Sequence, residues 1–108
     1  MKLICSPISK SAMDRLNYGA ETKHDLLEVV VDIELYDKMW RLGFFNEVNK
    51  TLNKHIDDYE DENITSFLDL IRLKSINAKY KEYDGIFFEL EKLIFNAIKN
   101  NTGVFFFF

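Results

Sequence analysis

The stretch Leu26-Leu27-Glu28-Val29-Val30-Val31-Asp32-Ile33-Glu34-Leu35-Tyr36 carries two patterns at once. Taken at steps of three and four, Leu26, Val29, Ile33, Tyr36 and then Trp40 mark one face of a helix. Taken at steps of two, Val29, Val31, Ile33 and Leu35 alternate with Val30, Asp32, Glu34 and Tyr36, and β-branched side chains suit a strand. The helical register runs on through Met39 and Trp40. A capping pattern stands before it in Thr22-Lys23-His24-Asp25, a hydroxyl followed three residues later by an acid. The reading adopted is a helix, with a strand over 29–36 as its competitor.

Downstream, Gly43-Phe44-Phe45 makes a turn, and Val48, Leu52 and Ile56, with His55, carry a returning helix. The segment Trp40 to Val48 comes back, weakened, as Ala78 to Ile86. An offset of 38 residues pairs Phe45 with Tyr83, Ile33 with Ile71, Leu35 with Leu73, Val48 with Ile86, Leu52 with Leu90 and Ile56 with Ile94. Spacing of this size marks a helical hairpin used twice. In the second copy Ser66-Phe67-Leu68-Asp69 is a capping pattern, and Asp84 can cap the helix after Tyr83-Asp84-Gly85. Phe87, Leu90, Leu93 or Ile94, and Ala97 line that last helix, and Asn100-Asn101-Thr102-Gly103 stops it.

At the other end Ser6-Pro7 is a suitable helix start, Ile8, Ala12 and Leu16 share a face, and Gly19 can close the helix in a left-handed conformation. The expected fold is therefore all-α: two stacked antiparallel helical hairpins plus a short N-terminal helix, as a single domain over 1–108. The wholly apolar tail Val104 to Phe108 either folds back to cap the last hairpin or docks into a partner, since exposed rings would be an aggregation liability.

Composition is that of an ordinary globular chain, with 47% hydrophobic and 30% charged residues. The net charge of −4 is unevenly placed, because residues 25–62 hold 11 acids against 4 bases. A field of that sign disfavours nucleic acid and attracts basic surfaces. Cys5 is the only cysteine, so no internal disulfide can form and a reducing compartment is the easier home. The apolar run before Cys5 is too short for a signal peptide, and no run approaches the ~18 apolar residues of a membrane span. Cytoplasmic localisation without membrane contact is expected.

No pattern names a reaction. Gly19, Gly43, Gly85 and Gly103 are isolated, so there is no glycine-rich phosphate loop. His24 and His55 are not at metal-ligand spacing, and His55 reads as a half-buried structural residue. No cofactor, metal or catalytic group is expected. The sharpest feature is the connector Asp57-Asp58-Tyr59-Glu60-Asp61-Glu62. It is either a solvated loop or a docking element whose carboxylates occupy phosphate positions in a basic cleft, with Tyr59 as a rigid anchor. Asp25, Glu28 and Asp32, at steps of three and four, would extend that surface along one helix face.

Two resemblances accompany these readings. The pattern Trp40-x-Leu42-Gly43-x-Phe45-x-Glu47-Val48, with Leu52, Lys54 and Ile56, resembles the turn and second helix of a tetratricopeptide repeat. That likeness implies a tight turn at Gly43, an aromatic plug at Phe45 and a regulatory adaptor that binds a peptide. The size, the hairpins, the lack of a catalytic signature and the acid-rich segment 25–62 resemble small immunity proteins of bacterial toxin systems, of the contact-dependent inhibition type. That likeness implies a cytoplasmic, non-enzymatic protein that blocks the active site of a cognate toxin with a basic surface, such as a nuclease.

Overall fold

The stretch with two patterns splits between them. In the computed structural model, which describes residues 2–108, Leu26–Val31 is a strand and Ile33–Arg41 a helix, with Asp32 at the joint. The elements in chain order are β1 (Lys2–Pro7), α1 (Lys10–Asn17), β2 (Leu26–Val31), α2 (Ile33–Arg41), α3 (Phe44–Leu52), β3 (Glu62–Ile64), α4 (Phe67–Tyr80), α5 (Ile86–Asn100) and β4 (Val104–Phe107). The strands form one antiparallel sheet in the order β2-β1-β4-β3. The all-α expectation is thereby overturned, and the fold is α+β.

Each departure has a local cause. The alternation in Leu26–Val31 prevails because β1 pairs with it along its whole length, from Lys2 opposite Val31 to Pro7 opposite Leu26. The helical pattern takes over only at Asp32, whose carboxylate accepts from the Leu35 N–H at 2.9 Å. Ser6-Pro7 ends β1 instead of opening a helix; Ser9 caps α1, its hydroxyl accepting from the Ala12 N–H. The returning helix stops at Leu52, where Asn53 turns left-handed (φ 55°), so His55 and Ile56 lie in a loop and His55 is exposed. The apolar tail is neither a cap nor a free arm. It is an interior strand, and strands covered on both faces read as continuous apolar runs.

Cross-strand neighbours share a sheet face. Ile4, opposite both Val29 and Phe106, joins Val31, Val104 and Ile64 in the main core with Phe44, Phe45, Leu73, Leu90 and Ile94 from the helices. The other face carries Leu3, Cys5, Phe105 and Phe107, and α1 packs over β1 there. Phe45 is fully buried, with ring centroids 5.2 Å from Trp40, 5.7 Å from Tyr36 and 5.5 Å from Phe108, so it ties α2 and α3 to the end of β4.

The helical-hairpin repeat fails in three dimensions. The turn at Gly43 (φ +88°) is real, and α2–α3 and α4–α5 are helix pairs. The first pair has helices of 9 and 9 residues and the second of 14 and 15. Phe45 is fully buried while its counterpart Tyr83 is 51% exposed. The offset of 38 residues does not join equivalent positions: α3 packs on α4 but α5 lies on the sheet, so the two pairs are not copies of one unit.

Buried polar groups pin the sheet to α5. Asn96 donates to the Ser6 hydroxyl (2.8 Å) and the Pro7 carbonyl (2.9 Å), and Thr102 donates to that same carbonyl (2.8 Å). A shifted register would leave these groups unsatisfied at a cost of about 1–3 kcal/mol each. Asp25 works similarly. Its buried carboxylate accepts two bonds from Arg15, at 2.8 and 2.7 Å, and one from the Thr22 N–H, clamping α1 to the turn before β2. The Thr22–Asp25 pattern therefore closes a turn and caps no helix.

Two glycines give a paired test. A Cβ on Gly103 would sit 2.8 Å from the Ile64 carbonyl and 2.7 Å from Thr65 Cγ2, whereas one on Gly85 meets nothing within 4 Å. In urea unfolding, Gly103→Ala is expected to cost about 1–3 kcal/mol, and Gly85→Ala to be neutral or stabilising by up to ~1 kcal/mol. A harmless Gly103→Ala would refute the close approach of β3 and β4.

The Arg15 bonds and the Thr22 amide hold the Asp25 carboxyl well below its ordinary range. A depressed carboxylate adds stability that is complete above the unfolded pKa of ~3.9 and is lost as pH falls toward the folded value. Asp25→Asn should therefore lower the urea midpoint at pH 7, with the gap to the parent closing below about pH 3. An equal gap at both pH values would show that the charge contributes nothing.

Candidate functional site

The acids named from the sequence do not share one surface. Asp25 is buried and committed to Arg15. Glu28 is exposed on β2, an edge strand, and Asp32 caps α2. Their common helix face disappears with the helix. The connector divides as well. Asp57 accepts from the Tyr59 and Glu60 amides, which shapes the loop, and Asp58 pairs with Lys2 at 2.5 Å, which ties it to β1. Glu62 belongs to β3, accepts from the His55 N–H at 3.2 Å and lies 3.9 Å from Lys54. Glu60 and Asp61 are exposed, and Tyr59 projects with 93% of its surface open.

The loop does meet α2. A cleft of about 490 Å³ lies between them, lined by Tyr36, Asp37, Trp40, Arg41, Asp57, Asp58 and Tyr59. It has one aromatic wall from Tyr36 and Trp40 and a second from Tyr59. The Tyr36 hydroxyl is buried and has no hydrogen-bond partner among the described residues. A second hollow, sharing Arg41, runs on past Asp32, Glu34 and Lys38 to Asp84.

Two residues of this surface, Glu34 and Asp37, belonged to the acid-rich segment but were not singled out from the sequence. The available signal was their spacing with Arg41, at steps of three and four on the polar side of α2.

The charge balance of this face follows from where the bases are used. Lys38 bridges to Asp84 at 2.9 Å, Lys79 to Glu47 and Lys81 to Glu91, so these cations hold helices and turns together. The Ile86 amide bond and then Lys38 lower the Asp84 pKa, and Lys79 with the Tyr80 hydroxyl lowers that of Glu47. Burial, reinforced by Glu47, pushes the Tyr80 phenol up to about 12. By contrast Asp32, Glu34, Asp37, Asp57, Glu60 and Asp61 have no cation within 4.0 Å among the described residues. Their charge is offered to solvent or to a partner.

The remaining reactive side chains point elsewhere. Burial pushes the Cys5 thiol up to about 12, which leaves it protonated and inert at neutral pH. Among the described residues no group of three or more His, Cys, Asp or Glu is placed to hold a metal ion, and no helix is long and apolar enough to cross a membrane.

No protein-family model matches the chain, and no curated protein matches it significantly. Among solved structures, the Neisseria DNA mimic protein DMP12 is similar along nearly its whole length. The match covers 99% of this chain and 98% of that one, with a TM-score of 0.69 and 15% sequence identity. Likeness at that identity is a likeness of fold.

Proposed function

We propose that this chain is a non-catalytic, protein-binding module whose acidic face, α2 with the loop Asp57–Asp61, docks on the basic nucleic-acid-binding surface of a protein partner. The observation that carries the reading is the meeting, at one cleft, of Asp37 and Asp57, which have no cation within 4.0 Å among the described residues, with the half-buried Trp40 and the exposed Tyr59. The carboxylates supply attraction and the aromatics supply anchors, which is how interfaces divide rate and affinity. The fold shared with a protein named as a DNA mimic supports the same reading.

Magnitudes limit how literal the mimicry is. Duplex DNA carries one charge per ~1.7 Å of axis. This chain has a net −4 along a longest extent of 35 Å. It imitates a short local run of phosphates and not a whole duplex turn, so shape and the aromatic anchors must supply most of the affinity. A toxin nuclease is one member of the partner class, since its cleft also binds phosphates. The immunity reading is thus a narrower form of this proposal, and the partner's activity decides it.

The test is capture of partners from source-cell lysate on the immobilised chain, followed by competition with duplex DNA. The expected partner is a basic nucleic-acid-binding protein that DNA displaces. Replacing Glu34, Asp37, Asp57, Glu60 and Asp61 by their amides should slow association by about 10–100-fold at low salt while leaving the unfolding midpoint in place. A partner indifferent to both DNA and the amide variant would sink the proposal.

A further inference from the structure

The outer face of the sheet holds a second feature that the α2 surface does not use. The eight residues of α1 span only ~12 Å and pack over β1, so this helix leaves part of the face open. Two adjoining hollows result, of about 400 and 240 Å³, which share Leu16 of α1 and Phe107 of β4. The floor of the first is mainly apolar, and the second sets Asn17 and Asn63 beside Phe105 and Phe107. Leu3, Leu16, Leu26 and Phe107 are all only partly covered, and Phe107 stacks on Phe105 with ring centroids 6.1 Å apart.

The rim is acidic on both sides. Glu21 and Glu28 flank the first hollow and Asp61 the second, while the Glu62 carboxylate is taken by the His55 N–H. Lys23 is the one basic residue lining the two hollows among the described residues. Glu21, Glu28 and Asp61 have no cation within 4.0 Å among the described residues. An apolar trough between two acidic banks selects its occupant by charge. A neutral apolar segment would leave the banks unmatched, and a purely cationic one would leave the floor wet.

We infer that this trough seats a basic amphipathic segment of the protein partner. One or two large apolar side chains rest on Leu3, Leu16 and Phe107, and flanking Lys or Arg residues face Glu21 and Glu28 on one bank and Asp61 on the other. The inference rests on the reading of a basic partner but places a separate contact on the opposite side of the sheet from α2. Asp61 lies at the junction of the two surfaces, so one partner could engage both by wrapping the loop.

The test uses the full ¹⁵N-labelled chain and a short synthetic peptide of lysine and leucine with a single tryptophan. Oligolysine of equal charge is the comparison. Binding should shift amide resonances at Leu3, Leu16, Glu28 and Phe107. Oligolysine should bind at least about tenfold more weakly, because apolar anchors carry most of the energy of such contacts. Leu16→Lys should weaken the peptide by about the same factor. Should Leu16→Lys not fold, the exposed pair Glu21→Gln and Glu28→Gln serves instead, and it should reduce both affinity and salt dependence.

Resonance shifts confined to α2 and the 57–61 loop, or equal affinity for oligolysine and the amphipathic peptide, would overturn the trough as a site. Failure of the α2 reading is separately visible. It would appear as DNA-insensitive capture of partners while the peptide still seats on Leu16 and Phe107.

Discussion

Burying Val104–Phe107 obliges four successive residues to find hydrogen-bond partners for their backbone groups, and only flanking strands can supply them on both sides. β1 provides one side through Leu3–Cys5 and β3 the other through Glu62–Ile64. The remainder of the architecture follows from that insertion. Phe106 and Val104 form the floor on which the helices sit, and Phe108 gives Phe45 a ring to pack against. The acidic loop is held at one end by β3 pairing with β4 and near its start by Asp58 on Lys2. Its carboxylates are therefore presented by anchored backbone and not by a free connector.

A weakly acidic chain can still show a strongly acidic face if its bases are spent elsewhere. Lys38, Lys79 and Lys81 each close a bridge between elements, and Arg15 is taken by Asp25. Individually, exposed bridges add only about 0–1 kcal/mol to stability. Each bridge also neutralises an acid, so the bias of this face comes from which acids are left without a partner, and Arg41 is the exposed base that stands among them. What remains uncompensated on α2 and the following loop is visible to a partner at the ~8 Å screening length of physiological salt.

The parts of the fold legible in the sequence are those decided by neighbours in sequence. Gly43 and Gly19 adopt the left-handed turns their positions implied, Ser66 caps α4, and Asn101 ends α5. The strands were illegible for a physical reason. Leu3 pairs with Phe107, and Val31 with Lys2, so the evidence that each segment is a strand lies in its partner and not in its own periodicity. Val29 to Leu35 satisfied both periods because the chain changes from strand to helix within that run, at Asp32. The candidate site was half legible for the same reason. Asp57 to Asp61 is a loop by composition alone, whereas Asp25, Glu28 and Asp32 were grouped by a helical spacing that the chain never adopts there.

The sheet order also sets a timetable for folding. β1 and β2 are joined by residues 8–25, which include α1, but β4 must reach β1 across nearly the whole chain. Closing the longer loop costs about 1.5 kcal/mol more than closing the shorter one on chain-entropy grounds, and contacts so distant in sequence slow folding. Until β4 arrives, β3 has no neighbour and β1 shows a bare apolar edge. Pairing of β4 is thus the most costly closure in the sheet, and β3 depends on it for its neighbour.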